Sequence, residues 1–166
     1  MVREELTQAR LREVLDYNPD RGLFKWKAKL KHHKSGWFRG CLGGTGDLYI
    51  GVDMTNYKAH RLAYLYMEGS FPPEVIDHVD GDRANNKWCN LRACSQSQNA
   101  CNSRIMSNNT SGYKGVSWRK ERNTWQVRVS VKGEYKTFGC YKDFELACLI
   151  ADQAREKYHG EFANHG

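Results

Sequence analysis

Four residues in the middle of the chain have the types and spacing of a hydrolytic site. Asp77 and His78 are adjacent, Asn90 lies twelve residues after His78, and Asn99 lies twenty-one after it. A carboxylate and an amide carbonyl are hard oxygen donors, suited to Mg²⁺ or Mn²⁺ rather than to a tetrahedral zinc cage. A neutral imidazole beside them can take a proton from water near pH 7. Each of these residues alone is also an ordinary turn or cap residue; four in register favour chemistry.

The elements that must position them are short. Val75-Ile76-Asp77-His78-Val79 reads as an apolar strand, Asp80-Gly81-Asp82 as a turn, and Leu91-Arg92-Ala93 as the return strand. Ser95 is placed to cap a helix from Gln96 to Cys101. Neighbouring strand side chains point to opposite faces, so Asp77 and His78 converge only through a bend, which the turn can supply. Asn99 would face the strand pair from the helix. Upstream, residues 6–15 read as a helix, 18–22 as a turn and 23–27 as a strand. A hairpin over 48–58 and a helix over 60–68 follow, the helix stopped by Gly69 and Pro72-Pro73.

Residues 103–112 are small, polar and Asn-rich, and read as a linker. Beyond them, Trp125, Val127, Val129 and Val131 alternate with Gln126, Arg128, Ser130 and Lys132, a period of two. Strands are predicted near 113–119, 125–131 and 135–138, with a turn at 132–134. Asp143 then caps a helix to about His159, whose apolar positions recur at helical spacing.

The first region resembles the HNH nucleases of bacteriophages and group I introns. The resemblance rests on Ile76 to Asp82, Asn85-Asn86, Asn90-Leu91-Arg92 and Gln98-Asn99, with His60-Arg61-Leu62-Ala63 and Gly22 to Trp26 upstream. It implies that His78 is the general base, that Asp77 and Asn99 hold a divalent metal, and that Asn90 ties the loop and orients the base. Arg61 joins them as a DNA contact. Many relatives carry His at the last position; Asn99 there favours Mg²⁺ or Mn²⁺.

The second region resembles the plant ethylene-response-factor (Apetala-type) DNA-binding domain. Ser111 to Val116, Trp125 to Val129, Phe138 to Tyr141, Glu145, Ala147, Ala151, Ala154 and Gly160 to Asn164 carry that likeness. It implies a three-stranded antiparallel sheet lying in the major groove. The outward face would hold Lys114, Ser117, Arg119, Arg122, Thr124, Gln126, Arg128, Ser130, Tyr135 and Thr137. Ser117, Thr124 and Thr137 depart from the plant pattern, which leaves no DNA target to read off. Between residues 104 and 132 there are seven Lys or Arg against one Glu, a net of +6, and a two-stranded ribbon can enter the major groove.

Composition agrees with such a partner. The 166-residue chain has a formal charge of +7 and a pI of about 9.1, which favours a polyanion. Residues 25–39 carry six Lys or Arg and no acid and form a further basic surface, either a backbone clamp or a solvated loop. No apolar run is long enough to span a membrane, and the N-terminus lacks the apolar core of a signal peptide, so a cytoplasmic location in the host cell is expected. The six cysteines would be mostly reduced there. Cys89, Cys94 and Cys101 lack the paired spacing of a zinc site.

Together these observations predict an α+β protein: a ββα-metal nuclease module over 1–102 with its motif core at 75–102, a linker at 103–112, and a three-stranded antiparallel sheet packed on one helix over 113–164. The expected activity is metal-dependent hydrolysis of double-stranded DNA to 5′-phosphate and 3′-hydroxyl ends by a monomer, with no protein partner implied. A homing role follows only from the resemblance. The alternatives are a DNA-binding regulator with an inactive nuclease module, and an RNA-directed protein.

Overall fold

The computed structural model describes residues 6–27 and 36–165. Residues 28–35 of the basic stretch, with His32 and His33, lie outside the described residues. The fold is α+β and forms two compact units, Met1–Cys94 and Ser95–Gly166. The division precedes the segment 103–112, so the helix after Ser95 belongs with the second unit.

In the first unit, α1 (Gln8–Val14) begins where the Thr7 hydroxyl accepts the Arg10 amide, satisfying an orphan donor of the first turn. It stops one residue earlier than its periodicity suggests. Leu15 is extended (φ −128°, ψ 142°) and opens β1 (Leu15–Asn18). There Leu15 and Tyr17 are buried at a period of two, and this packing overrides the helical pattern. β1 pairs antiparallel with β2 (Leu23–Trp26), Leu15 opposite Trp26 and Asn18 opposite Leu23. The turn between them closes on Asn18, whose carbonyl accepts the Gly22 amide and whose side chain accepts the Arg21 amide. β3 (Trp37–Phe38) extends this sheet beside β2.

A second antiparallel sheet holds β4 (Cys41–Leu42), β5 (Leu48–Val52) and β6 (Thr55–Lys58). Its two-residue turn, Asp53-Met54, has φ of 47° and 63°, the left-handed pair that a type I′ hairpin requires. α2 (Ala59–Glu68) ends at Gly69 with φ 87°, a left-handed cap that glycine adopts without strain. A separate two-stranded ladder pairs β7 (Val75–His78) with β8 (Leu91–Cys94). The core joins Leu11, Leu15, Phe24, Ile50, Val52, Leu62, Leu65 and Ile76 in one cluster. Each such side chain contributes roughly 1.5–3 kcal/mol by leaving water.

In the second unit, α3 (Gln96–Cys101) starts with a reciprocal capping box between Ser95 and Gln98. The sheet runs β9 (Val116–Arg119), β10 (Thr124–Val131) and β11 (Glu134–Tyr141), with β10 central and all pairings antiparallel. Lys132 and Gly133, at φ 53° and 86°, make the two-residue turn. A register shift between Val127 and Arg128 sets Val127 opposite Gly139 and Arg128 opposite Thr137. α4 (Phe144–His159), capped by the Asp143 carboxylate, lays Ala147 and Ala151 on Val116 and Val127. Small residues on the helix let it sit close to the valine face.

Candidate active site

The β7–β8 register places Asp77 opposite Arg92 and His78 opposite Leu91. Asp77 is only 4% exposed, and Arg92 makes its burial tolerable. The guanidinium meets Oδ2 through Nε at 2.8 Å and Nη2 at 2.7 Å, so the charge is paired where water is excluded. His78 is 6% exposed. Its Nε2 lies 3.1 Å from Oδ1 of Asn86, and its ring meets that of His60 edge-on, centroids 5.1 Å apart at 78°.

The loop between the strands is drawn in by Asn90. Its side-chain amide donates to Asp80 Oδ1 at 2.9 Å and to the Asn85 carbonyl at 2.8 Å, while its Oδ1 accepts the Asp80 amide at 3.0 Å. The Asn90 carbonyl also accepts the Val79 amide at 3.0 Å. The chain turns immediately after His78, where the Gly81 amide bonds the His78 carbonyl and Gly81 takes φ 68°. Burial works against ionisation of Asp80, but bonds from Asn85, the Asp82 amide and Asn90 outweigh it and hold the carboxyl below its ordinary range.

Sequence reasoning did not single out two neighbours of His78, nor the aspartate behind one of them. Asn86 is 1% exposed and its Nδ2 finds no hydrogen-bond partner among the described residues. His60, on the first turn of α2, is buried, and its Nδ1 stands 3.8 Å from Asp47 Oδ1. Asp47 is itself buried and bonded by Lys58 Nζ at 2.8 Å and by the Thr45 hydroxyl at 3.0 Å. Burial, with the His78 charge second, pushes the His60 imidazole down to about 3, so this ring is neutral at working pH. Asn86 and His60 fell inside motif stretches read for resemblance; Asp47 carried no signal beyond a loop aspartate.

The remaining residues lie in the second unit, apart from Arg61 on α2, which stacks over Phe71 at 5.3 Å. Asn99 is half-buried on α3, with its amide on the Ser95 carbonyl. The pairings Ser117–Gln126, Arg128–Thr137 and Ser130–Tyr135 run across the sheet. With period-two alternation they put these six on the face opposite the buried valines. Arg119 donates to Gln126 at 2.8 Å, and Arg128 lies 5.0 Å above the Tyr135 ring. Arg122 sits in the short turn Lys120–Arg122.

Lys114 departs from the expected outer face. It precedes β9, and its ammonium donates to the Cys101 and Ser103 carbonyls at 3.0 and 2.5 Å. Burial, with Arg155 second, lowers it to about 8. The backbone carbonyls that attract it inward replace the phosphate it was expected to meet.

Among the described residues no three His, Cys, Asp or Glu side chains come together as a metal cage. Asp77 belongs to the first unit and Asn99 to the second; a carboxylate and an amide oxygen are each hard donors, of the type that suits Mg²⁺ or Mn²⁺. No helix of the described residues is long and apolar enough to cross a membrane.

A paired-strand site presenting adjacent Asp and His, with an Asn-tied loop, belongs to an α+β frame that comparison with known proteins places further. Residues 57–101 match the family model described as HNH endonuclease. Protein 3.8 of Escherichia phage T7 is 38% identical over 111 residues, 64% of this chain and 91% of that protein. An HNH endonuclease of Acanthamoeba polyphaga mimivirus is 29% identical over 143 residues, 85% of this chain and 70% of that protein. The chain therefore carries an HNH endonuclease domain over residues 57–101 and shares a family with Protein 3.8 of the phage. The solved structure described as DNA binding and cleavage by the HNH homing endonuclease I-HmuI superposes with a TM-score of 0.41 at 20% identity, covering 88% of this chain and 85% of that one.

The neutral, buried His60 has a consequence for stability. Its folded pKa lies below the unfolded value near 6.5, so the unfolded chain binds the extra proton. This contribution is intact above about pH 6.5 and falls as pH drops towards 3, by at most about 1.4 kcal/mol per pH unit. Urea midpoints of the wild type and His60→Phe, compared between pH 7 and pH 4.5, should show a shallower decline in the variant. Parallel declines would mean that His60 is protonated in the folded state.

Proposed function

We propose that the chain is a metal-dependent DNA endonuclease in which His78 activates water against a phosphodiester. The observation that carries this reading is the pair of adjacent, buried, differently partnered side chains on β7: Asp77 against Arg92 and His78 against Asn86. His78 takes a proton from water as the water oxygen bonds to phosphorus. The bond from phosphorus to the 3′ oxygen then breaks and that oxygen takes a proton from solvent, leaving 5′-phosphate and 3′-hydroxyl ends. Asp77 and Asn99 would hold a divalent cation of the Mg²⁺ or Mn²⁺ kind, which supplies stabilisation of the charge growing on the phosphate when bound. Asn90 holds the loop so that His78 stays at its strand end.

The division of labour follows the charge and the sheet. Residues 1–102 carry the chemistry, 103–112 connect, and the sheet of 113–164 serves as a DNA reader of the Apetala type. Its outward Ser117, Arg119, Gln126, Arg128, Ser130, Tyr135 and Thr137 are the contacts, with Arg122 from the turn beside them. Arg61 adds a contact from α2. Double-stranded DNA is the partner, and the net +6 between residues 104 and 132 supports it.

Two measurements test this. Supercoiled plasmid in Mg²⁺ should be cut by the wild type, and His78→Ala should lose about 10² to 10⁴ in rate with DNA affinity retained. Equal cutting by the variant removes His78 as the base, and a wild type that shifts DNA without cutting it supports the regulator reading instead. On the sheet, Arg128→Ala should weaken binding by roughly 1–3 kcal/mol and relax preference at one base pair, as for an Arg–guanine contact. Unchanged affinity and preference would take Arg128 off the interface.

A further inference from the structure

The N-terminal β1–β2 hairpin is distant in sequence from His78, yet it converges on the residue that His78 touches. The Tyr17 hydroxyl donates to the Asn86 backbone carbonyl at 2.7 Å. Tyr17 is itself held, its ring 4.8 Å from Phe24 and 5.8 Å from Tyr66. Two residues along the loop, the Trp88 amide bonds the Pro19 carbonyl at 2.9 Å. Gly22 presses on the same stretch, at φ +64°. A Cβ there would stand 2.4 Å from the Asn86 carbonyl carbon and 2.5 Å from the Lys87 nitrogen. No larger side chain fits without moving the Asn86 backbone.

Asn86 turns this support towards the chemistry. Its Oδ1, an acceptor only, faces His78 Nε2 at 3.1 Å; this contact is a hydrogen bond only in the tautomer with the proton on Nε2, in which Nδ1 is the basic nitrogen. A buried amide whose Nδ2 has no partner among the described residues costs free energy in the fold. Spending the other end of that amide on a single imidazole nitrogen is intelligible if the tautomer matters.

We infer that Asn86 is a positioning residue that fixes the tautomer and ring orientation of His78, and that Tyr17 and Gly22 of the N-terminal hairpin brace Asn86 for that task. The inference rests on His78 acting as the base proposed above. None of the three touches the reacting atoms. They determine which nitrogen of His78 is presented to water.

The test uses the full-length chain, duplex DNA and Mg²⁺. Asn86→Ala should slow the single-turnover cleavage rate by about tenfold or more, the scale seen when an orienting partner of a catalytic imidazole is removed. The DNA and Mg²⁺ concentrations for half-saturation should stay within about twofold, since the amide binds neither. Nitrogen-15 shifts of the His78 ring should report a single Nε2-protonated tautomer in the wild type and an averaged pair in the variant. A structural role alone would leave the tautomer unchanged. If Asn86→Ala does not fold, Tyr17→Phe decides: removal of one hydroxyl should slow cleavage by about threefold, the scale of one neutral hydrogen bond, and raise the minor tautomer. A folded Asn86→Ala or Tyr17→Phe with wild-type rate and wild-type tautomer overturns the inference, as does a loss confined to half-saturation. A wild type that leaves DNA intact instead defeats the nuclease reading itself.

Discussion

The pairing of β7 with β8 commits one register to two kinds of chemistry. With Asp77 opposite Arg92, a carboxylate can be almost fully buried because a guanidinium answers it across the ladder. With His78 opposite Leu91, the imidazole is left to Asn86 and His60 on its own side. A slip of one residue would exchange the faces of every side chain on the strand, leaving Asp77 without its cation and His78 without its amide. Four-residue strands carry few ladder bonds, so the register must be defended from outside. Asn90 does this from within the loop through bonds to Asp80 and Asn85, and the N-terminal hairpin does it from the other side through Tyr17 and Gly22.

This arrangement explains why so much of the first unit consists of small sheets around one cluster. Phe24, Leu11 and Leu15 have no exposed surface and join Leu62 and Leu65 of α2 in the same core. α2 in turn presents His60 to His78. The site is therefore attached to the core on two sides, by a helix through an imidazole and by a hairpin through an amide. Burial that would be wasteful for an ordinary loop keeps these polar groups in one orientation.

Much of this was legible in the sequence where a residue type carries its own local reason. Ser95 and Asp143 cap the helices they were expected to cap, because a short oxygen before an apolar periodic run has few other uses. The alternating valines of β10 face inward as their period requires. Other features depend on partners far away in the chain. Leu15 fits a helix face and a strand face equally well, and only burial against the core selects the strand. Asp53 and Met54 take left-handed angles with neither Gly nor Asn to announce them. Asn86 resembles any loop asparagine until Tyr17 and His78 are seen on either side of it. Lys114 reads as a phosphate contact by charge, but backbone carbonyls claim it.

The proposed chemistry places a metal ion on the oxygens of Asp77 and Asn99, with His78 beside the phosphate. Anomalous diffraction from crystals of the chain with duplex DNA and Mn²⁺ examines that arrangement most directly. Expected is one manganese peak within coordination distance of Asp77 and Asn99, with a phosphate of the duplex bound to it on the side of His78. A peak on the thiolates of Cys89, Cys94 or Cys101, or a phosphate-bound ion that touches neither Asp77 nor Asn99, would contradict it.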